Sequence, residues 1–164
     1  MNKEKITNLI YVLIFVGIVG YGVYYIKTAP KIQEADIISR SGMHIHPSIT
    51  IKIKGEKQEV TANIGIGAIG GMKGVHTHDS TGLLHYEQSG LAIKEDTKIK
   101  RFFEIWGRTF NSNCIFDKCN GPEGKVRMTV QNKEDAKNNI APKENFDFEN
   151  YFVLDGDQIE ISFE

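Results

Sequence analysis

Hydrophobic residues are distributed unevenly along the 164-residue chain. Residues 9–26 form an apolar run without a charged side chain, and three tyrosines lie near its end. A helix needs about 20 such residues to cross the hydrocarbon core of a bilayer, and tyrosine rings favour the membrane interface. The pattern therefore predicts one transmembrane helix over residues 9–26, preceded by a short tail of residues 1–8.

A cleaved signal peptide is the alternative to a retained anchor. We expect the anchor, because the run is long for the apolar part of a signal and no A-x-A-like cleavage site follows it. Lys3 and Lys5 precede the run, whereas Lys27 and Lys31 follow it, so charge alone does not orient the helix. The short tail is the natural cytoplasmic end. We therefore expect a single-pass protein of the cell membrane, with its N-terminus cytoplasmic and residues 27–42 as a tether to an extracytoplasmic domain.

The remaining residues, 43–164, show the periodicities of a small folded domain. Isoleucines alternate with polar residues at the start of residues 48–64, and Gly55 marks a turn, which predicts a β-hairpin with 57–64 as its second strand. Apolar residues at three- and four-residue spacing over 97–107 predict a short amphipathic helix that ends at a glycine. Further strands are predicted at residues 83–87, 126–131, 151–154 and 158–163. The expected fold is α+β, a small mixed β-sheet with one packed helix.

All the histidines of the chain lie between positions 44 and 85, as two H-x-H pairs and one further residue. Residues two apart on a strand project from the same face, so each pair offers two imidazoles side by side. Two neighbouring pairs can then build a three- or four-nitrogen metal site. The predicted ligands are His44, His46, His76, His78 and His85. The alternatives are a pH-sensing cluster or histidines that are merely exposed.

The spacing does not choose the metal, because imidazole suits copper, zinc, nickel and iron. Met43 and Met72 lie near the pairs in sequence, and thioether sulfur favours Cu(I). Together with an extracytoplasmic location, this favours copper, with zinc as the alternative. Asp79 and Glu87 are candidate carboxylates behind the ligands, where they would orient an imidazole, or direct ligands if the metal is harder.

Other motifs argue against a nucleotide or a nucleic acid as partner. The segment 65–70 fits G-x-G-x-x-G, but no helix follows it as a dinucleotide site requires, so we expect residues 65–75 to be a mobile glycine loop. The net charge of −1 lacks the basic footprint of nucleic-acid binding. Gly70 and the second H-x-H pair match the first half of a cupin motif, but its glutamate is missing. We therefore expect a binding protein rather than an enzyme, and a cupin-like metalloenzyme with three histidines and an open position stays an alternative.

Cys114 and Cys119 are the two cysteines of the chain. In an exported domain, two cysteines most simply form a disulfide that closes a short loop. The C-x₄-C spacing differs from the C-x-x-C of thiol oxidoreductases, so a redox role is the lesser alternative.

Two resemblances extend this interpretation. The terminal segment YFVLDGDQIEISF resembles the last strand of β-grasp domains, which implies a β-grasp-like sheet. The segments MHIHPSITIKIKGEKQEVTANIGI, HTHDSTGLLHYE and FFEIWGRTFN, taken with it, resemble a group of membrane-anchored extracytoplasmic H-x-H domains of archaea and bacteria. That likeness implies one histidine-containing unit and brings no established activity. We expect metal handling, or an accessory role in a membrane complex, with the lipid bilayer and other membrane subunits as partners. A purely structural subunit is the remaining alternative.

Overall fold

The computed structural model describes residues 2–67 and 71–164 of the chain. The chain divides into two compact units, one ending at Glu34 and one running from Ala35 to Glu164. The described α-helices are α1 (Lys3–Thr28), α2 (Lys100–Trp106) and α3 (Lys133–Lys137). The described strands are β1 (Ile37–Ser39), β2 (Met43–Ile45), β3 (Ser48–Ile53), β4 (Glu56–Gln58), β5 (Ile66–Gly67), β6 (Gly71–Met72), β7 (Val75–His76), β8 (His85–Gln88), β9 (Ala92–Ile93), β10 (Cys114–Ile115), β11 (Lys118–Cys119), β12 (Val126–Gln131), β13 (Lys143–Glu144) and β14 (Gln158–Phe163).

Helix α1 is long and apolar enough to cross a membrane. It ends at Thr28, two residues before Pro30, which cannot continue a helical hydrogen-bond ladder. Its apolar side chains, such as Phe15, are exposed. The predicted span of residues 9–26 lies inside α1, and most of the predicted tail of residues 1–8 continues the same helix.

Part of the predicted tether, residues 27–42, is folded into the second unit. Strand β1 lies within this segment and pairs antiparallel with β9, so that Ile37 is opposite Ile93. A strand of three residues is too short to show a clear period in the sequence. The extended connection is correspondingly shorter than the sequence predicts.

A five-stranded sheet forms the main layer of the second unit, with the order β13-β12-β14-β3-β4. Its central strands β14 and β3 are parallel, and the other neighbours are antiparallel. Ile51 and Ile161 from the central strands and Phe102 from α2 are fully buried in one shared core. The predicted helix is confirmed as α2, which ends at Gly107 with a left-handed φ of 71°. The α+β fold class is therefore confirmed.

The predicted second strand of the hairpin, residues 57–64, is wrong in its length. Strand β4 ends at Gln58, after a turn in which Lys54 and Gly55 both have positive φ, as a tight two-residue hairpin requires. Val60 and Ile64 are nevertheless buried in the core. Their spacing is that of a strand, but Val60 reaches the core from an irregular segment and Ile64 from a turn.

The predicted strand 151–154 is also wrong, because only an isolated bridge joins Phe152 to Lys98. The backbone N–H of Leu154 instead donates to the buried carboxylate of Asp157 at 2.7 Å. The segment is thus held by a side chain at the start of the last strand.

The loop with both cysteines contains a short hairpin. Strands β10 and β11 place Cys114 directly opposite Cys119, and a disulfide joins them. The predicted disulfide is therefore present in the structure.

A second sheet, with the order β2-β8-β7, adjoins the first. Two backbone hydrogen bonds join the segment before β8 to the start of β3 in the main sheet. Leu84 N–H donates to Pro47 O at 2.9 Å, and Ile49 N–H donates to Gly82 O at 2.8 Å. Gly82 has a φ of +90°, and a Cβ there would collide with the carbonyl of Ile49, so a glycine is required at this crossing. This small sheet carries the histidine segments.

Candidate metal centre

The register of the small sheet brings the histidine segments together. Strand β8 is central, with His85 directly opposite His76 of β7 and Glu87 opposite His44 of β2. Residues at alternate positions of a strand share a face. Tyr86, between His85 and Glu87, is correspondingly buried in the core. His44, His76 and His85 lie on the opposite face of the sheet, and His46 and His78 follow directly after β2 and β7.

The five imidazole rings form one contiguous group around His85. The ring centroid of His85 lies 5.9 Å from that of His44, 4.7 Å from His46, 5.2 Å from His76 and 4.6 Å from His78. The rings within each H-x-H pair are 4.4 Å and 4.9 Å apart. Metal–nitrogen bonds of about 2 Å place the ring centroids of two co-ligands about 4.5 to 5.2 Å apart at tetrahedral or square angles. Most of these spacings are already those of ligands to a shared ion.

The ligand atoms fall into two groups of three. His44, His46 and His85 form one triad, and His76, His78 and His85 form the other, with the nitrogens of each triad within 4.8 Å of one another. We call them the outer triad and the inner triad. All the histidines singled out from the sequence are thus brought together. Their sharing of His85 is not visible in the sequence, which predicts a single three- or four-nitrogen site.

The inner triad contains the most constrained imidazole. His76 is fully buried, and its Nδ1 lies 3.1 Å from the backbone carbonyl oxygen of Lys73. A carbonyl can only accept, so Nδ1 carries the proton and Nε2 presents a lone pair. In the described residues Nε2 is buried without a hydrogen-bond partner. Such an orphaned acceptor is costly, and a metal ion would satisfy it.

The segment that carries His76 is fixed by its own neighbours. The hydroxyl of Thr77 accepts from the Ile64 N–H at 3.0 Å and donates to the Thr61 carbonyl at 2.9 Å. Gly65, with φ +73°, passes so close that a Cβ there would collide with the carbonyl of Val75 and lie 3.2 Å from the Cβ of His76. The backbone around His76 is therefore held by packing as well as by strand pairing.

The outer triad is held by carboxylates. Nε2 of His44 lies 2.8 Å from a carboxylate oxygen of Glu87. Such a carboxylate fixes the ring and leaves the other nitrogen for a metal, as in many histidine metal sites. Glu87 is therefore in contact with an imidazole of the outer triad, and its orienting role stays a prediction.

The sequence does not indicate a second carboxylate beside the outer triad, that of Asp155. One oxygen of Asp155 accepts the backbone N–H of His46 at 3.0 Å and lies 3.9 Å from its Nδ1. The other oxygen pairs with Lys133 Nζ at 2.7 Å, and chiefly this hydrogen bond lowers the pKa of Asp155. The available signal is the turn Asp155-Gly156-Asp157 in the terminal segment. This turn indicates only the fold, since nothing in the sequence links it to a histidine 109 positions away.

Asp79 lies beside the cluster but hydrogen bonds elsewhere. Its carboxylate accepts the backbone N–H of Thr81 at 2.9 Å and the hydroxyl of Thr81 at 2.6 Å. These hydrogen bonds lower the pKa of Asp79, with smaller contributions from His78 and His85. Asp79 therefore stabilises the turn before β8 and adds negative charge next to the inner triad.

Burial, followed by the positive charge that the neighbouring histidines can carry, lowers the pKa of His85. The ring is therefore kept neutral to lower pH than an ordinary histidine. Neutral imidazole is the form that binds a metal.

The two predicted methionines line one groove. Met43 and Met72 contribute to it together with His44 and Glu87. Met72 is exposed. The groove therefore places thioether groups beside the outer triad.

Comparisons with known proteins add no identity, since no protein-family model, no curated protein and no solved structure matches this chain.

Proposed function

We propose that this chain is a membrane-anchored metal-binding protein whose histidine cluster holds a transition metal. The observation that carries the proposal is the buried, unpaired Nε2 of His76, with Nδ1 fixed by a backbone carbonyl. A fold rarely retains a buried acceptor without a partner. Metal-binding histidines typically have one ring nitrogen held in this way.

Copper is the metal that we propose, with zinc as the alternative. Imidazole serves both ions, whereas thioether sulfur favours Cu(I). Met43 and Met72 line the groove beside His44, which supports a copper-handling surface.

The proposed location is the outer face of the cell membrane, with the N-terminus cytoplasmic. Helix α1 would be the anchor, and the disulfide between Cys114 and Cys119 supports the oxidising side for the second unit. A metal-handling protein or an accessory subunit of a membrane complex fits this arrangement. We also propose membership in the group of anchored H-x-H domains that the sequence resembles.

A β-grasp-like architecture is part of the same proposal. Its support is the order of hairpin β3–β4, helix α2 and later strands, with the last strand parallel to the first of the hairpin. Fold alone carries no activity.

A metalloenzyme is the second candidate. Each triad offers three nitrogens, and a four-coordinate ion on three protein ligands keeps one position for water or substrate. A bound ion that exchanges a small anion such as azide would favour this candidate.

The test uses the full-length chain in detergent micelles, titrated with Cu(I), Cu(II) and Zn(II) against a chromophoric chelator. We expect stoichiometric binding with submicromolar affinity, and a loss of about 100-fold or more in His78→Ala, since even residues behind a ligand contribute 10- to 100-fold. His78 is exposed, so this variant leaves no cavity. His76→Ala tests the buried ligand directly. Glu104→Ala on α2, an exposed side chain paired with Arg101, is the control. Failure of the wild-type chain to compete at micromolar metal would overturn the proposal.

A further inference from the structure

Because His85 belongs to both triads, the histidine cluster can hold two metal ions rather than one. One ion with bonds of about 2 Å needs all its ligand nitrogens within about 4 Å of one another. Among the described residues, nitrogens that lie within 4.8 Å of one another form two groups of three, and each H-x-H pair belongs to a different group. The resting geometry is therefore that of two adjacent centres rather than one crowded centre.

The ring of His85 meets one ring of each pair in the same way. It is edge-on to His46 at 89° and 4.7 Å, and edge-on to His78 at 81° and 4.6 Å. An imidazole has two ring nitrogens, and both can coordinate once the ring has lost its N–H proton.

His85 is the ring that both triads share, and no hydrogen bond holds either of its nitrogens among the described residues. His44 has Nε2 at 2.8 Å from Glu87, and His76 has Nδ1 at 3.1 Å from a carbonyl, so each keeps one nitrogen for a metal. Neither ring nitrogen of His85 has a hydrogen-bond partner among the described residues.

We propose that the cluster holds two metal ions bridged by the imidazolate of His85, one ion on the outer pair and one on the inner pair. This inference rests on the proposed metal-binding function. On binding the second ion, the N–H proton of His85 passes to solvent, and each ring nitrogen then donates its lone pair to one ion. The inner ion lies against the buried His76, and the outer ion lies at the half-exposed pair.

The experiment titrates the full-length chain in detergent micelles with Cu(II), removes free metal by dialysis, and measures bound copper by elemental analysis and electron paramagnetic resonance. We expect two equivalents per chain. The signal should grow with the first equivalent and then fall well below that of two isolated ions, because bridging imidazolate couples two Cu(II) ions antiferromagnetically. One equivalent, or two uncoupled equivalents, would overturn the bridge and leave the proposed function standing. No bound copper would overturn both.

Two variants distinguish a bridging imidazolate from the independent binding of two copper ions. His46→Ala should hold one uncoupled equivalent, because the inner triad stays complete. His85→Ala should lose the coupling at any loading. Glu104→Ala, at an exposed residue of α2 outside both triads, is the control and should keep two coupled equivalents. Coupling that persists without His85 would also overturn the proposal, and His46→Ala decides the matter if His85→Ala does not fold.

Discussion

The two H-x-H pairs have the same spacing but opposite surroundings. His44 and His46 are accessible, and carboxylates of Glu87 and Asp155 hold them. His76 is fully buried, and a backbone carbonyl holds its ring. Without a metal, the outer pair is solvated and satisfied, whereas the inner pair leaves a buried nitrogen unpaired. The comparison indicates that the inner triad is the more preorganised centre and that the outer triad depends on side-chain charge.

The largest effect on stability is expected from a change in the backbone beside His76. We expect Gly65→Ala to lower the free energy of unfolding by more than about 3 kcal/mol, because it adds a backbone collision to a strained φ. Gly71→Ala is the matched control, since its φ of +68° is similar but nothing lies within 4 Å of the added Cβ. It should cost about 1 kcal/mol. Denaturant unfolding followed by the fluorescence of Trp106, the single tryptophan, measures both variants.

The same pair of variants separates the two triads. Gly65→Ala should weaken metal binding at the inner triad more than at the outer one, whereas Gly71→Ala should leave both affinities unchanged. Equal unfolding losses in the two variants would mean that the close approach to Val75 and His76 does not hold the inner segment.

An intermediate effect, on metal affinity, is expected when the carboxylate that contacts the outer triad is changed. Glu87→Gln replaces a charged acceptor of His44 by a neutral amide, and we expect about a tenfold loss of affinity for the outer ion, as is usual for residues behind a metal ligand. The affinity of the inner ion should not change. Chelator competition with wild-type chain, variant and the control Glu144→Gln, which loses a surface pair with Arg127, measures the difference. A loss at the inner ion instead would contradict the assignment of Glu87 to the outer triad.

The smallest effect is the pH dependence of the metal-free chain. Burial and neighbouring histidines lower the pKa of His85 in the folded state, whereas in the unfolded chain it is about 6.5. The unfolded state then binds the proton more readily, so the stability from neutral His85 is complete above about pH 6.5 and is lost as the pH falls through the lowered pKa. Unfolding midpoints between pH 8 and pH 5 should decrease, and less steeply in His85→Gln. If the unfolding midpoints of wild type and His85→Gln fell equally with pH, protonation of His85 would not be coupled to folding.

Local patterns predict local features of this chain well. The isoleucines of β3 and the apolar spacing of α2 match their observed elements, because each pattern has the period of its own structure. The prediction of a strand over 57–64 is wrong because Val60 and Ile64 are buried from irregular backbone and a turn, which the alternation of apolar residues does not distinguish from a strand. Strand β1 escapes prediction because its partner β9 is more than 50 positions away along the chain.

The sequence by itself determined a span of sufficient apolar length, the disulfide partners and the closeness of the two imidazoles within each H-x-H pair, since these depend on composition and short-range geometry. Only the tertiary structure decided that His76 is the buried imidazole, that Asp155 reaches His46, and that His85 belongs to both triads. These properties depend on the register between β2, β8 and β7 and on a turn from the far end of the chain. Strand periodicity sets the face on which a side chain lies, and long-range pairing sets its neighbours.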